Sequence, residues 1–355
     1  EVKPTIRVLV VDDSALVRQI LTHVLGDASH IEVVGVARNG VEAVAAARAL
    51  EPDVVTLDIQ MPEMDGMEAL RLIVRDSDAR VVMLTGIDNP ETTFQALESG
   101  ATEFILKPRE GLATSIDRLS VELVRAIKAA YATSPEKRAR AAAPPAETAA
   151  APHVTPASGN PERVVCIAAS TGGPLALDRV FAGLQPDLSA AFLVVQHLPV
   201  GFAVSLAARL AKVAGFPVSE AKDGMRVLAG QGYVAPYGTH MRINGEPRGE
   251  TCIELVPGPS IHGLIPAADP LLESAAESFG KKAVGVVLTG MGSDAAVGLL
   301  AVLEAGGHTI AQDEETSVVW GMPGAAVKIG AAQLVVPIDR VAVEIRRALR
   351  NGGDG

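Results

Sequence analysis

At about 150 residues per domain, the 355 residues exceed one ordinary core and divide into roughly two. Hydrophobic residues make up 48% and charged residues 21%, so most of the chain can fold, and with aromatics at 3% the cores must be aliphatic. The formal charge of −11 argues against nucleic-acid binding by bulk electrostatics. No part hides a strongly basic surface: residues 1–127 carry 12 basic and 21 acidic side chains, 128–160 carry 4 and 2, and the remainder 15 and 19. No run approaches ~20 apolar residues, and residues 1–7 lack the basic-then-apolar layout of a signal peptide, so no membrane insertion is expected. Two cysteines, Cys166 and Cys252, cannot make a disulfide framework and fit a reducing cytoplasm. The expectation is an acidic, cytoplasmic monomer.

In chain order, residues 6–11, 32–37, 54–57, 81–84 and 103–106 read as short buried strands. Between them, 15–25, 41–50, 67–75, 91–99 and 112–127 have the spacing of helices. Five such alternations predict a doubly wound parallel sheet of flavodoxin-like type over residues 5–127. From 128 to 160 there are 12 Ala and 5 Pro with no Leu, Ile, Phe or Met, a composition that builds no core and reads as an interdomain tether. The α/β alternation then resumes over 161–352, with strands at 163–168, 191–196, 283–289 and 309–311 and helices at 175–183, 204–213 and 294–304. A Gly- and Pro-rich stretch, 223–266, interrupts it and reads as turns and hairpins. The second half is thus expected to be a doubly wound hydrolytic domain with a hairpin-rich insertion.

In an open parallel sheet, ligands bind beyond the carboxyl ends of the strands. In the first half, Asp12 and Asp13 follow the first strand, Asp58 the third, Thr85 the fourth and Lys107 the fifth. Three carboxylates brought together repel one another, and an all-oxygen set with open water positions suits Mg²⁺. A carboxylate held on that ion, beside a hydroxyl and a lysine, can attack a phosphoryl group and form an acyl phosphate. Each residue alone has a structural reading: Asp12 or Asp13 as a helix cap, Thr85 as a turn residue, Lys107 as part of a loop. Their convergence favours function. The runs Val10-Val11-Asp12-Asp13-Ser14, Leu57-Asp58-Ile59-Gln60-Met61-Pro62 and Leu106-Lys107-Pro108 resemble the response-regulator receiver family over residues 5–127. That resemblance implies phosphorylation of Asp58 by a histidine kinase. It also implies a Mg²⁺ site from Asp13, Asp58 and the Gln60 carbonyl, with Asp12 acting through water. Thr85 and Lys107 would contact the phosphoryl group, and Phe104 takes the aromatic switch position. Where many receivers have Ala after the Thr or Ser, this chain has Gly86.

In the second half, Ala168-Ala169-Ser170-Thr171-Gly172-Gly173-Pro174 follows a strand and opens a helix. It fits neither G-x-G-x-x-G, nor the P-loop, nor the G-x-S-x-G elbow, so a nucleotide site is weakly supported. The turn can nevertheless expose the Ser170 hydroxyl, and a serine nucleophile needs a base. His197 ends the next long strand, and Asp294 follows the strand after that. A lone His is more often structural, Asp294 suits a helix cap, and His240, His262 and His308 compete for the role. With Ser170 as nucleophile, His197 as base and Asp294 as its orienter, the chemistry would be acyl transfer without a metal. The order Ser, His, Asp matches none of the three familiar triad orders.

Ser170-Thr171-Gly172-Gly173-Pro174, Val195-Gln196-His197, Tyr233-Val234-Ala235-Pro236, Val286-Val287-Leu288-Thr289-Gly290-Met291-Gly292-Ser293-Asp294 and Trp320-Gly321-Met322-Pro323 resemble the CheB family of chemotaxis receptor methylesterases over residues 162–350. The resemblance implies that Ser170, His197 and Asp294 are catalytic, that Thr171 adjoins the nucleophile, and that the Met291 N–H serves the oxyanion hole. It implies methyl-accepting chemoreceptors as substrates, by hydrolysis of glutamate γ-methyl esters and deamidation of glutamines. Two features depart from the family: Ala168 stands where Gly is common, and 260–268 lacks the usual arginines. Two alternatives remain open, a phospho-switched binding protein and a hydrolase of another ester or amide in a non-motility pathway. Asp313, Glu314 and Glu315 read as a solvated helix start, and Cys166 as a buried strand residue.

Overall fold

The computed structural model describes residues 4–86, 90–107, 113–134, 136–137, 159–184 and 189–351. The chain divides into two compact units, Glu1–Ala143 and Pro144–Gly355. In the first, strands β1 (Ile6–Val11), β2 (Ile31–Ala37), β3 (Val54–Asp58), β4 (Arg80–Thr85) and β5 (Glu103–Leu106) form one parallel sheet in the order β2-β1-β3-β4-β5. This is the doubly wound order of flavodoxin-like folds. The strands are nearly continuous Val, Ile and Leu because helices α1 (Ala15–Gly26), α2 (Gly40–Leu50), α3 (Gly66–Asp76), α4 (Pro90–Glu98) and α5 (Ala113–Tyr131) cover the sheet on both faces. Ser14, Asn39 and Asp65 cap α1, α2 and α3 by accepting the N–H of Val17, Glu42 and Glu68. With Ser14 in that role, neither Asp12 nor Asp13 caps α1.

Helix α5 runs to Tyr131, four residues into the stretch expected to be tether, and Ala129 and Ala130 are buried. Alanine lacks the side chain that flags a core position in a sequence, yet it packs closely and favours helix. Of the remaining tether residues, 135 and 138–158 lie outside the described residues.

In the second unit, seven strands lie parallel in one sheet: β6 (Arg163–Ala169), β7 (Ala190–Gln196), β8 (Val218–Glu220), β9 (Gly232–Val234), β12 (Ala283–Val287), β13 (His308–Gln312) and β14 (Leu334–Val336). A separate antiparallel pair, β10 (His240–Asn244) and β11 (Cys252–Val256), forms the expected hairpin. Residues 232–234, expected among turns and hairpins, instead join the main sheet as a parallel strand. The helices are α6 (Gly173–Ala182), α7 (Phe202–Ala214), α8 (Asp269–Phe279), α9 (Ala296–Glu304), α10 (Met322–Lys328) and α11 (Ile338–Asn351). The strand order β14-β13-β12-β6-β7-β9-β8 runs outward in both directions from β6 and β12. The topological switch point, where open α/β sheets bind ligands, therefore lies between β6 and β12. No helix among the described residues is long and apolar enough to cross a membrane.

Candidate functional site

The first unit gathers its polar residues at the carboxyl edge of the sheet. Asp58 and Thr85 are the last residues of β3 and β4, Asp12 follows β1, and Lys107 follows β5. Ligand atoms of Asp12, Asp13 and Asp58 lie within 4.8 Å of one another, with Asp12 and Asp58 buried and Asp13 exposed. Lys107 Nζ sits 2.9 Å from Asp12 Oδ2 and 2.6 Å from Asp58 Oδ2. The Ser14 N–H donates to Asp12 Oδ1, and the Gln60 N–H donates to Asp58 Oδ1. Thr85 Oγ1 is 2.9 Å from Thr93 Oγ1, and Phe104 lies buried, edge-on to Phe94 with ring centres 6.3 Å apart. Exposed oxygen at Asp13 beside buried oxygen at Asp58 is a donor set that fits a hard divalent cation.

Burial pushes the Asp58 carboxyl up to about 6, with Asp12 adding to the rise and Lys107 and the Gln60 N–H opposing it. Burial works against charge on Lys107 too, but its hydrogen bonds to Asp58 and Asp12 hold it above an ordinary lysine. Because the folded chain binds the Asp58 proton more tightly than the unfolded chain, the stability contributed there falls as pH rises from 3.8 to about 6. Asp58→Asn keeps the shape and removes the charge. Without divalent cation, it is expected to raise the thermal midpoint of this unit by a few degrees at about pH 7.5, with a smaller gain near pH 4. Calorimetry at the two pH values checks this, and a lower midpoint at pH 7.5 would contradict it.

The second unit places its three residues around the switch point. Ser170 directly follows β6 and His197 directly follows β7, and the strand register Ala169↔Gln196 makes them neighbours. Asp294 lies in the loop between β12 and α9. His197 Nε2 is 2.7 Å from Asp294 Oδ2, and both side chains are buried. Among the described residues, His197 Nδ1 is buried with no hydrogen-bond partner. Burial would raise Asp294, but the bond from His197 and the N–H groups of Ala268 and Asp269 hold its carboxyl below the usual range. Asp294 is therefore no helix cap: Ala295 occupies that position with φ 72° and no side-chain bond. The loop approaches the serine closely, since a Cβ built on Gly290 would stand 2.8 Å from Ser170 Cβ. Ser170 is 3% exposed, and its N–H donates to the Thr289 carbonyl at 3.0 Å. Among the described residues, the backbone N–H groups of Thr171 and Met291 have no internal acceptor.

Two supporting residues were not singled out from the sequence. Gln196 Nε2 donates to the carbonyls of Ser170 (2.9 Å) and His197 (3.1 Å), tying the two loops together. Thr289 Oγ1 donates to the Thr171 carbonyl at 2.9 Å and accepts the Val319 N–H at 3.0 Å. Both are buried polar residues at strand ends, the one signal that could have marked them. Of the competing histidines, His240 uses Nδ1 to accept the Ala267 N–H and Nε2 against the Pro259 carbonyl, so it is a buried structural residue. His308 opens β13, at the opposite edge of the sheet from Ser170. Asp313 caps a turn by accepting the Thr316 N–H and hydroxyl, while Glu314 and Glu315 are exposed. Burial alone pushes the Cys166 thiol far above the ordinary range, so it stays protonated.

A family model for CheB methylesterase matches residues 165–345, and one for the response regulator receiver domain matches 8–117. A protein-glutamate methylesterase/protein-glutamine glutaminase of Pyrococcus horikoshii is 41% identical over 360 residues, covering 98% of this chain and 96% of its relative. A protein of the same name from Symbiobacterium thermophilum is 42% identical over 362 residues, covering 99% of each. Among solved structures, the Thermotoga maritima CheB methylesterase catalytic domain is 36% identical with a TM-score of 0.51, and the match covers 56% of this chain and 100% of that one.

Proposed function

This chain belongs to the CheB methylesterase family, with a response-regulator receiver ahead of the catalytic module, and we propose that it is a phosphorylation-activated protein-glutamate methylesterase and protein-glutamine glutaminase. The observation that carries the reading is the 2.7 Å His197–Asp294 pair beside Ser170 at the switch point of the sheet. With Nε2 committed to Asp294, Nδ1 is the nitrogen left to act as base. The Ser170 oxygen attacks the γ-carbonyl carbon of a glutamate methyl ester while His197 Nδ1 takes its proton. Charge on the former carbonyl oxygen falls to the N–H groups of Thr171 and Met291, which have no acceptor among the described residues. Collapse breaks the bond to methoxide, which leaves as methanol with the proton from His197. Water, deprotonated by the same nitrogen, then hydrolyses the acyl-serine to free glutamate. With glutamine in place of the ester, ammonia leaves instead.

In the receiver, Asp13, Asp58 and the Gln60 carbonyl would hold Mg²⁺, with Asp12 acting through water; when bound, the ion offsets charge on the transferring phosphoryl group. The Asp58 carboxylate takes the phosphoryl group from a histidine kinase, and Thr85 and Lys107 hold its oxygens. Lys107 is already within an ion-pair distance of Asp58. The substrates are methyl-accepting chemoreceptors. We assign residues from 161 onward to the catalytic module and the Ala/Pro-rich stretch that ends at 160 to a tether. Methylated receptor membranes incubated with the chain should release methanol, and unmethylated receptors bearing glutamine should release ammonia. Release of neither from a folded preparation would refute the reading.

A further inference from the structure

Behind Asp294 lies a second carboxylate and a second imidazole that the proposed reaction does not use. Residues Ile261 and Leu264 exchange backbone hydrogen bonds of 3.2 and 2.9 Å, closing a two-residue hairpin over His262 (φ 54°) and Gly263 (φ 77°). Positive φ at both central residues is the tight primed turn, which histidine tolerates better than most side chains. The turn carries His262 Nε2 to 3.7 Å from Asp269 Oδ2, with the imidazole half exposed and the carboxylate buried. Asp269 Oδ1 accepts the Gly298 N–H at 2.7 Å, and a Cβ on Gly298 would strike the Asp269 backbone, so α9 and the start of α8 are in contact there.

The same short segment holds the triad carboxylate. The Ala268 N–H donates to Asp294 Oδ2 at 2.8 Å and the Asp269 N–H to Asp294 Oδ1 at 3.3 Å. We propose that His262 and Asp269 are positioning residues: an imidazole–carboxylate pair behind the triad that fixes Asp294 through these two amides and sets the charge that the His197–Asp294 couple experiences. The charged groups facing Asp269 among the described residues are Asp294 beyond β12, Glu273 one turn along α8, and His262 on the hairpin. Burial pushes the Asp269 carboxyl up to about 6; Asp294 and Glu273 add to the rise, while the Gly298 N–H and His262 oppose it. Asp269 therefore changes charge close to where a catalytic imidazole does its work. An ionised Asp269 favours the protonated imidazole through Asp294, and a protonated His262 offsets it.

This inference rests on the triad proposed above, and opposite signs make it testable in the full chain. Asp269→Asn keeps an acceptor for Gly298 but removes the carboxylate behind Asp294, so the acid limb of kcat/KM against pH moves down by about 0.3–1 pH unit. His262→Asn suits the positive φ and leaves Asp269 uncompensated, so the limb moves up by a similar amount. The double variant returns close to the parent profile. His262 sits at a half-exposed hairpin tip, so its variant keeps the test readable should Asp269→Asn fold poorly. Ser170→Ala is run alongside. If it stays active, both the triad and the pair are overturned. If it is inactive and the limb shifts by the same sign in both variants, or by nothing, the pair alone is overturned.

Discussion

Ser170→Ala and His197→Ala are each expected to lower kcat for methanol release by about 10⁴–10⁶, with KM little changed. In the proposed mechanism the nucleophile and its base act as a unit, so losing either removes the whole covalent route and leaves only binding and oxyanion stabilisation. Asp294→Asn should cost about 10⁴. An asparagine has a single oxygen, so it can keep only one of the Ala268 and Asp269 N–H groups, which are held by different carboxylate oxygens; it cannot stabilise the imidazolium, and its amide can turn His197 to the wrong tautomer. That variant is also informative about packing, because the carboxylate is buried and held by three donors: His197 and the two amides. A loss of activity with an unchanged thermal midpoint separates chemistry from folding. Single-turnover release of labelled methanol checks all three, and near-normal release by Ser170→Ala would exclude a serine mechanism.

The parts of this site that were legible in the sequence share a physical cause. Long buried strands such as β6 and β7 are largely apolar runs, so the polar residue directly after each one, Ser170 or His197, stands out. The same holds for Asp58 at the end of β3 and Lys107 after β5. The resemblance to known motifs then supplied roles that run lengths cannot. Less visible were elements whose pattern is short or uniform. β8, β9 and β14 span three residues each, below the length at which alternation shows, and their place in the sheet is decided by long-range pairing. Helix α8 follows a Gly- and Pro-rich stretch, and between its buried Leu271, Leu272 and Phe279 the covered face is filled by the small Ser274, Ala275 and Ala276. Helix α11 has a strongly amphipathic pattern but lies outside the motifs that mark the site. Gln196 was hidden differently: a buried glutamine bonded to two carbonyls looks, in sequence, like any strand-end polar residue. So were Ala268 and Asp269, whose backbone amides, carrying no side-chain signal, hold Asp294.

Phosphodonor should label the chain only at Asp58 and, in the same reaction, raise its methylesterase rate. The acidic cluster is the reason for metal dependence: three carboxylates within 4.8 Å, two of them buried, favour a bound divalent cation over the empty arrangement. EDTA should therefore abolish labelling, as should Asp58→Ala. Lys107→Ala leaves Asp12 and Asp58 without the ammonium that now bridges them, and should slow labelling while leaving its site unchanged. The step from labelling to activation is an equilibrium argument. Asp58 and Ser170 lie in different compact units, so phosphate can act on the hydrolase only by shifting the populations of less and more active states. A shift of about 1.4–2.8 kcal/mol changes that ratio by about 10–100-fold, and the rate follows it while the active state is scarce at the start. Acetyl phosphate with Mg²⁺ should thus accelerate the intact chain by about 10–100-fold and leave Asp58→Ala at its resting rate. A fragment from about residue 160 onward should not respond to the donor at all. Activation that persists in Asp58→Ala, or labelling that survives EDTA, would show that the acidic pocket is not the switch.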